Sequence, residues 1–261
     1  MKSPARPMHA MVLAAGRGER MRPLTDTTPK PLLMVRGQHL IAWHLHRLRA
    51  AGFVHVVINV AHLGQQIIDA IGTGAAFGLD VRFSVEPEGA FETAGGIATA
   101  EPWRDGYGQL LDSPFLVINA DVWTDWPMQH AIEIRDTEFT AQHPTRCHLV
   151  LVDNPPHHPQ GDFCLQTPGQ WPSSQSTLEH DRDRIGPRAV GFRDQGSPLT
   201  FSGIGVYDRR MFAEIRPRTR AALAPLLRQA ITDGLACGSH YTGVWNDVGT
   251  PQRLAQLNTD A

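Results

Sequence analysis

The sequence predicts an α/β fold built on a mixed, mostly parallel sheet with helices on both sides. Three observations predict it. Short apolar runs typical of buried strands recur along the chain, helical patterns separate several of them, and glycine, asparagine or aspartate follows several of the runs. Ligands of open α/β sheets bind beyond the carboxyl ends of the strands, so these last positions are candidate site residues.

The first 154 residues are predicted to form an open, doubly wound sheet. Val81, Phe83 and Val85 alternate with polar residues as in a strand, and Ile41, Leu45 and Leu48 have helical spacing in a helix that Gly52 closes. The predicted strands and helices of this part are Met8 to Leu13, the helix around Ile41, Val54 to Val60, the helix Gln65 to Ile71, Val81 to Val85, Phe115 to Ile118 and His148 to Val152.

After residue 154 the composition changes, and predicted helices and strands resume from Leu199. Residues 155–198 are rich in proline, glycine and polar residues, which favours loops and hairpins over packed helices. The later predicted elements are Leu199 to Tyr207, a helix from Ala221 to Thr232, a strand ending near Asp247, and a last helix begun by Thr250 and Pro251. We expect one domain over residues 8–261 and a flexible extension at residues 1–7.

Composition favours small-molecule partners. Of the 261 residues 41% are hydrophobic, and 24 basic against 26 acidic residues give a formal net charge of −2. No basic run suits nucleic acid or acidic lipid, and no apolar stretch has the length of a signal peptide or membrane span. We expect a cytoplasmic protein without nucleic-acid or membrane partners. Three widely spaced cysteines without a C-x-x-C pair argue against a disulfide framework or zinc site: Cys147, Cys164 and Cys237.

The first candidate site follows the first predicted strand and reads L-A-A-G-R-G-E-R-M-R-P-L-T, from Leu13 to Thr25. Gly16 and Gly18 let backbone amides approach a polyphosphate, and arginines at positions 20 and 22 add positive charge. The spacing excludes a P-loop, and the third glycine of a dinucleotide fingerprint is missing. Taken alone, the glycine pattern is equally compatible with an ordinary strand-to-helix turn.

Lys30 is the second candidate. Pro29 and Pro31 restrict the backbone on both sides and so fix the direction of its side chain. The 24 basic residues include only two lysines, Lys2 and Lys30. A solvated surface lysine is the alternative, but a compact ammonium at this place suits the charge that develops on a phosphate.

Two aspartates that follow predicted strands are candidate metal ligands. Asp121 lies in V-I-N-A-D and Asp247 in V-W-N-D-V-G, and together they could hold Mg²⁺ between phosphate oxygens. Either one alone is also typical of a cap or turn. His157 and His158 are not expected to bind a metal, because adjacent side chains of an extended segment point to opposite sides and no third ligand is evident.

These motifs together resemble those of the sugar-1-phosphate nucleotidyltransferases. The pattern L-A-A-G-x-G-x-R-M-x-P-L-T followed by P-K-P is specific for that family, and the resemblance extends from Met11 to Arg253. A further family segment is similar to E-P-E-G-A-F-E-T-A-G-G-I, Glu86 to Ile97, in which Phe91 and Glu92 replace the usual Leu-Gly. The resemblance implies an enzyme with a single Rossmann-like nucleotidyltransferase domain and a sugar-side insertion at residues 155–198.

The resemblance also implies roles for individual residues. Arg20 and Lys30 would be the catalytic cations, and Asp121 and Asp247 would hold the expected cofactor, Mg²⁺. The nucleotide would be bound by Ala14, Ala15, Gly16, Gly18, Glu19, Arg20, Lys30, Glu86 and Gly95, and the acceptor by Asn119, Asp153, Asp162, Ser202 and Gly203. The E-K-P segment through which many members bind the sugar phosphate has no counterpart, which leaves that phosphate without an assigned cation; Arg193 is a candidate.

Within the family the chain most resembles the bacterial N-acetylmuramate α-1-phosphate uridylyltransferases of peptidoglycan recycling. The resemblance rests on V-D-N-P-x-H-H, which includes Asp153 to His158, on the following Gly161-Asp162-Phe163, and on N-A-D-V-W-T-D from Asn119 to Asp125. It implies a reaction of UTP with N-acetylmuramate α-1-phosphate that gives UDP-N-acetylmuramate and pyrophosphate. Thymidylyl or guanylyl transfer to a hexose 1-phosphate is the alternative.

Two other classes of function compete with transfer. A non-catalytic nucleotide sensor could keep the glycine-rich loop but would not need Lys30 and both aspartates. A Rossmann-type dehydrogenase would need an acidic residue at the end of the second strand, where this chain has Asn59. We expect a monomer or small homo-oligomer.

Overall fold

A computed structural model describes residues 8–105, 108, 110, 113–140, 145–166 and 188–259. The expected extension at residues 1–7 and most of the middle of the loop-rich segment, residues 167–187, lie outside these ranges. The helices are α1 (Leu40–Ala50), α2 (Gly64–Ile71), α3 (Glu92–Ala100), α4 (His130–Glu138), α5 (Leu223–Thr232) and α6 (Pro251–Thr259).

The strands of the described part include both long central and short peripheral ones. They are β1 (Ala10–Leu13), β2 (Met34–Val35), β3 (Gln38–His39), β4 (His55–Val60), β5 (Asp80–Val85), β6 (Phe115–Asn119), β7 (Val122–Thr124), β8 (Cys147–Val152), β9 (Phe163–Leu165), β10 (Arg188–Phe192), β11 (Pro198–Tyr207), β12 (Ala236–His240) and β13 (Trp245–Asp247).

The main sheet of the described residues has nine strands in the order β5-β4-β1-β6-β11-β8-β12-β10-β9. The strands β5, β4, β1 and β6 are parallel, and β12 is parallel to β8. In contrast, β11 is antiparallel to both β6 and β8, and β10 is antiparallel to β12 and β9. Seven of the nine strands therefore run in the same direction, all except β11 and β10, and this mixed, mostly parallel sheet confirms the predicted fold class.

Helices cover both faces of this sheet because successive side chains of each central strand point to opposite sides. On one face Val12, Ile58 and Ile118 pack with residues of α1 and α2. On the other face Met11, Val57 and Val117 pack with residues of α3 and α5. Strands β6 and β8 are buried almost throughout, as their continuous apolar runs predict.

The elements that were not predicted from the sequence include two helices and one strand of the main sheet. The helix α3 contains two consecutive glycines, which weaken an intrinsic helix signal, and α4 carries a mixed pattern with little apolar periodicity. The strand β12 is short and contains Gly238, so it lacks the β-branched run that marks the other strands. In all three, packing on the sheet outweighs local preference.

The cysteines and the lengths of the helices bear on two expectations from composition. The three cysteines are buried and free. Among the described residues, no helix combines the length and apolar character needed to cross a membrane.

A third apolar cluster fastens the glycine-rich loop to the end of the chain. Its buried members include Met21 just after that loop and Val248 just after Asp247, and both are fully buried. The helix α6 contributes Leu257 to the same cluster. The cluster thus brings the loop after β1 and the segment after β13 to one end of the sheet.

Candidate active site

The glycine-rich loop follows β1, and its backbone amides are not hydrogen-bonded to the described part of the protein. Among the described residues, the amides of residues 15–20 donate no hydrogen bond to another protein group. Gly18 has a φ of 68°, and its carbonyl accepts hydrogen bonds from the Met21 amide and the Thr25 hydroxyl. Arg20 is exposed and forms no ion pair with any described residue. Unpaired amides beside an available arginine form a suitable cradle for a polyphosphate.

Lys30 lies buried at the inner edge of this loop. Its side chain is 8% exposed, and its Nζ lies 2.6 Å from Oδ2 of Asp121, which is 37% exposed. Gly18 packs against it so tightly that a Cβ there would lie 3.3 Å from Lys30 Cβ. Lys30 and Asp121 therefore form a partly buried ion pair that faces the cradle.

Asp247 comes to the same place through the small antiparallel pair β7–β13. In this pair Asp247 lies opposite Val122, the residue that follows Asp121, and the Val248 amide donates to the Asp121 carbonyl at 2.9 Å. The structure thus brings the two predicted metal ligands together, although 126 positions separate them in the chain by the difference of their residue numbers.

A cation also contacts Asp247. The Arg253 guanidinium pairs with Asp247 Oδ1 and donates to the Asp247 carbonyl at 3.0 Å. His157 Nε2 lies 3.2 Å from Asp247 Oδ1 and 3.1 Å from Arg253 Nη1. His158 instead contacts Asp162 at 3.1 Å, so the two histidines have different partners.

A chain of hydrogen bonds runs along the neighbouring strand ends. The Ala14 amide donates to Asn59 Oδ1, and Asn59 Nδ2 donates to Glu86 Oε1, both at 2.9 Å. Burial raises the pKa of the Glu86 carboxyl, while the hydrogen bond from Asn59 opposes that rise. Asn59 therefore holds Glu86 and the start of the loop in a fixed relation.

Gly95 has a packing role in α3. Its amide donates to the Ala221 carbonyl at 3.0 Å, and the Ala221 amide donates to the Phe91 carbonyl at 2.9 Å. A Cβ at position 95 would overlap the Thr219 carbonyl oxygen. The close approach of residues 219–221 therefore accounts for this glycine, whether or not it also contacts a nucleotide.

A cleft of about 500 Å³ lies beside Asn119 at the carboxyl end of β6. Asp162 lines it and is held by the Phe201 amide, which donates to Asp162 Oδ2 at 2.9 Å. One wall is apolar and comes from Phe163, Phe201, Leu223 and Leu227. A cleft with an apolar wall and a few polar groups suits a small polar molecule such as a sugar.

The remaining predicted acceptor residues are less uniformly placed. Gly203 has a φ of 79°, and a Cβ there would lie 2.6 Å from Asn119 Nδ2, so this glycine makes room for Asn119. Ser202 is buried, and its hydroxyl accepts from the Ile204 amide at 3.2 Å. Asp153 is 79% exposed and pairs with His240. Arg193 is exposed on the turn after β10.

Two residues of this site had no predicted role. Asn59 entered the sequence reasoning only as evidence against a dehydrogenase, and Arg253 only as the end of the family resemblance. A polar residue at the end of a buried strand is a signal that identifies Asn59. Arg253 lies in the first turn of α6, and no local pattern connects it to Asp247 beyond their spacing of six residues.

Comparison with known proteins agrees with this geometry. Residues 9–161 match the family model described as Nucleotidyl transferase. The chain is 48% identical to the N-acetylmuramate alpha-1-phosphate uridylyltransferase of Neisseria meningitidis, over 95% of this chain and 96% of that protein. It is 32% identical to the protein of the same name from Caulobacter vibrioides, over 98% and 96% of the two chains.

More distant similarities extend to other nucleotides. The mannose-1-phosphate guanylyltransferase of Mycobacterium tuberculosis is 35% identical over 96% of this chain and 64% of its own length. A crystal structure of a putative glucose-1-phosphate thymidylyltransferase from Bacillus anthracis has a TM-score of 0.73 at 21% identity, covering 97% of this chain and 95% of that one. The second similarity supports the fold.

Proposed function

This chain belongs to the nucleotidyl transferase family, and we propose that it joins UTP to N-acetylmuramate α-1-phosphate, giving UDP-N-acetylmuramate and pyrophosphate. The observation that carries this substrate pair is the 48% identity, over 95% of the chain, to a Neisseria meningitidis protein named for that activity. The reaction would belong to peptidoglycan recycling in the cytoplasm.

The nucleotide half of the site is the loop after β1. Its unpaired amides and Arg20 would hold the triphosphate, and Glu86, directly after strand β5, would lie toward the base. This arrangement follows the order β5-β4-β1 of neighbouring strands, whose carboxyl ends carry Glu86, Asn59 and the loop.

The chemistry needs no protein nucleophile, because the phosphate of the acceptor is already anionic at neutral pH. One of its oxygens would form a bond to the α-phosphorus of UTP as the bond to the β-phosphate oxygen breaks, and the electron pair would leave with pyrophosphate. Alignment and neutralisation of charge would supply the catalysis. Arg20 on the loop and Lys30 beside it would share the neutralisation of that charge.

Members of this family generally use a divalent metal ion, and we propose Mg²⁺ for this chain. Asp121 and Asp247 provide the hard oxygen donors that this ion prefers, and a cationic side chain contacts each of them, as expected where negative charge is concentrated. Within the described ranges, no group of three or more potential metal ligands is present. Asp121 and Asp247 would hold the ion beside the phosphates, where it would neutralise developing charge.

Pyrophosphate release tests the proposal. The enzyme would be supplied with UTP, dTTP, GTP or CTP, each paired with N-acetylmuramate, N-acetylglucosamine, glucose or mannose 1-phosphate, and the sugar nucleotide identified by mass. UTP with N-acetylmuramate α-1-phosphate should give the highest kcat/KM. Faster turnover of GTP with mannose 1-phosphate would instead support the activity named for the Mycobacterium tuberculosis relative. Absence of pyrophosphate with every pair would reject transfer altogether.

A further inference from the structure

The phosphate of the acceptor needs a positive partner that the family motifs do not provide in this chain. Lys30 is held by Asp121 and is only 8% exposed, and Arg20 lies on the nucleotide loop. Arg193, the candidate from the sequence, is exposed and has no hydrogen bond or ion pair to a site residue among the described ones. The cation that contacts the second of the two carboxylates, that of Asp247, is Arg253.

Arg253 uses only one of its three guanidinium nitrogens for hydrogen bonds to the described residues. Its Nη1 makes all the contacts with Asp247 and His157, namely the Asp247 carboxylate, the Asp247 carbonyl at 3.0 Å and His157 Nε2 at 3.1 Å. Its Nε and Nη2 have no hydrogen-bond partner among the described residues, although the side chain is only 19% exposed. Neither atom belongs to the buried polar side-chain atoms of the described residues that lack a partner, so both donors reach solvent and are open to a ligand.

Gly249 leaves space beside the Nε and Nη2 edge of the Arg253 guanidinium. A Cβ on Gly249 would lie 3.1 Å from Arg253 Nη2 and 3.1 Å from Asp247 Oδ2. Glycine at this position therefore keeps the space next to the guanidinium and the carboxylate clear. The two donors of that edge lie in one plane, a geometry that matches two oxygens of a phosphate.

We propose that Arg253 binds the phosphate of the sugar 1-phosphate through Nε and Nη2, while Asp247 and His157 hold Nη1 in place. The inference rests on the proposed function for the identity of the ligand, since a phosphate oxyanion could come from either substrate. We assign the acceptor, because the Asn119 and Asp162 cleft and the D-N-P-P-H-H segment that carries His157 belong to the acceptor side of the site. His157 is a positioning residue in this arrangement.

Calorimetry on the full-length enzyme separates the two substrates. The protein would first be saturated with α,β-imido-UTP, which cannot release pyrophosphate, and then titrated with N-acetylmuramate α-1-phosphate and with glucose 1-phosphate. Arg253→Gln should weaken binding of each bound sugar phosphate by about tenfold or more, because a charge-assisted bidentate contact is lost. Binding of α,β-imido-UTP to the empty enzyme should stay within about twofold of the wild type.

Matched variants keep the test decisive. Arg104→Gln removes a half-exposed arginine paired with Glu101 and should leave both affinities unchanged. Arg253→Lys keeps the charge but loses the fork, so it should recover only part of the acceptor affinity. If Arg253→Gln fails to fold, Arg253→Lys decides alone, since full acceptor affinity in that variant would overturn the proposal.

Two other results would contradict the assignment. Equal weakening of nucleotide and acceptor binding, or weakening of nucleotide binding alone, would place Arg253 on the triphosphate. Glucose 1-phosphate carries the same phosphate group, so its loss of affinity in Arg253→Gln supports the inference even if N-acetylmuramate proves to be the wrong sugar. Failure of the wild-type enzyme to bind any sugar 1-phosphate would overturn both the inference and the proposed function.

Discussion

Lys30 Nζ lies 2.6 Å from Asp121 Oδ2 at the point where the loop after β1 meets the end of β6. The pair joins a candidate catalytic cation to a candidate metal ligand, and removal of either partner leaves a partly buried charge without compensation. Such a pair is costly to break, since an unpaired charge in a desolvated place loses both water and partner. The two residues should therefore behave as one unit in catalysis.

Replacement of Lys30 should abolish most turnover. We expect Lys30→Ala to lower kcat by about a hundredfold or more, the range seen when a charge-stabilising donor is removed from an active site. Lys30→Arg should recover little, because the guanidinium is larger and the site is only 8% exposed. Pyrophosphate release measures both, with Arg228→Gln, at an exposed position of α5, as the control. Near-normal kcat in Lys30→Ala would exclude it as a catalytic cation.

The two glycines of the loop should differ in how they tolerate a methyl group. Gly16 has nothing within 4 Å of an added Cβ, whereas Gly18 has a φ of 68° and an added Cβ would lie 3.0 Å from Thr25 Cγ2. Gly16→Ala should keep the wild-type Tm and raise KM for UTP if a phosphate lies over this amide. Gly18→Ala should lower Tm and also kcat, because it pushes against Lys30. Unchanged KM for UTP in Gly16→Ala would remove Gly16 from the nucleotide site.

Asn59 should act on nucleotide binding through Glu86. Asn59→Ala removes the partner of the buried Ala14 amide and the donor to Glu86 Oε1. The unpaired amide should cost about 1–3 kcal/mol of the free energy of unfolding. KM for UTP should rise more than kcat falls, because the variant displaces a binding group and leaves Lys30 in place. Steady-state kinetics and urea unfolding report the two effects, and a fall in kcat at unchanged KM would contradict this positioning role.

The strand ends could be predicted from sequence because buried parallel strands are locally encoded as apolar runs. Gly16, Gly18, Asp121 and Asp247 were identified in this way, and the structure brings them to one end of the sheet. The contacts between them could not be predicted. Arg253 reaches Asp247 only because Val248 and Leu257 bury α6 against Met21 in the third apolar cluster, a tertiary event with no local signature.

At Gly95 the sequence suggests a role in nucleotide binding that packing alone could also explain. A family motif assigns it to the nucleotide, yet its packing against Thr219 is sufficient to require glycine. Sequence alone does not separate a glycine needed for close packing from one needed for a ligand, since both positions exclude a Cβ for steric reasons. The nucleotide-binding role of Gly95 therefore stays a prediction.

The two aspartates should each be necessary for metal-dependent turnover. Asp121→Asn and Asp247→Asn keep the shape of the side chain and remove the charge that Mg²⁺ prefers. Each should lower kcat by about a hundredfold or more and raise the Mg²⁺ concentration needed for half-maximal rate. Titration of Mg²⁺ in the pyrophosphate assay measures this, with Asp233→Asn on the exposed end of α5 as the control. An unchanged Mg²⁺ dependence in either variant would remove that residue from the metal site.

His44 should make the free energy of unfolding fall in acid. Burial, with a smaller contribution from Arg47, lowers the pKa of His44 to about 4. Between pH 6.5, near the pKa of an unfolded-state histidine, and pH 4, the unfolded chain binds a proton at His44 that the folded chain does not bind. Its contribution is therefore complete above about pH 6.5 and is lost as the pH falls toward 4, at about 3 kcal/mol in all.

Replacing His44 by leucine isolates this contribution from that of the other histidines. Urea unfolding of the wild type and of His44→Leu would be compared at several values between pH 7 and pH 4. The wild type should lose about 3 kcal/mol more than the variant over this interval, because only its unfolded state gains the extra proton. His46→Leu, at an exposed position of the same helix, controls for the loss of a histidine as such. A difference between wild type and His44→Leu that does not vary with pH would mean that His44 takes up its proton equally in both states.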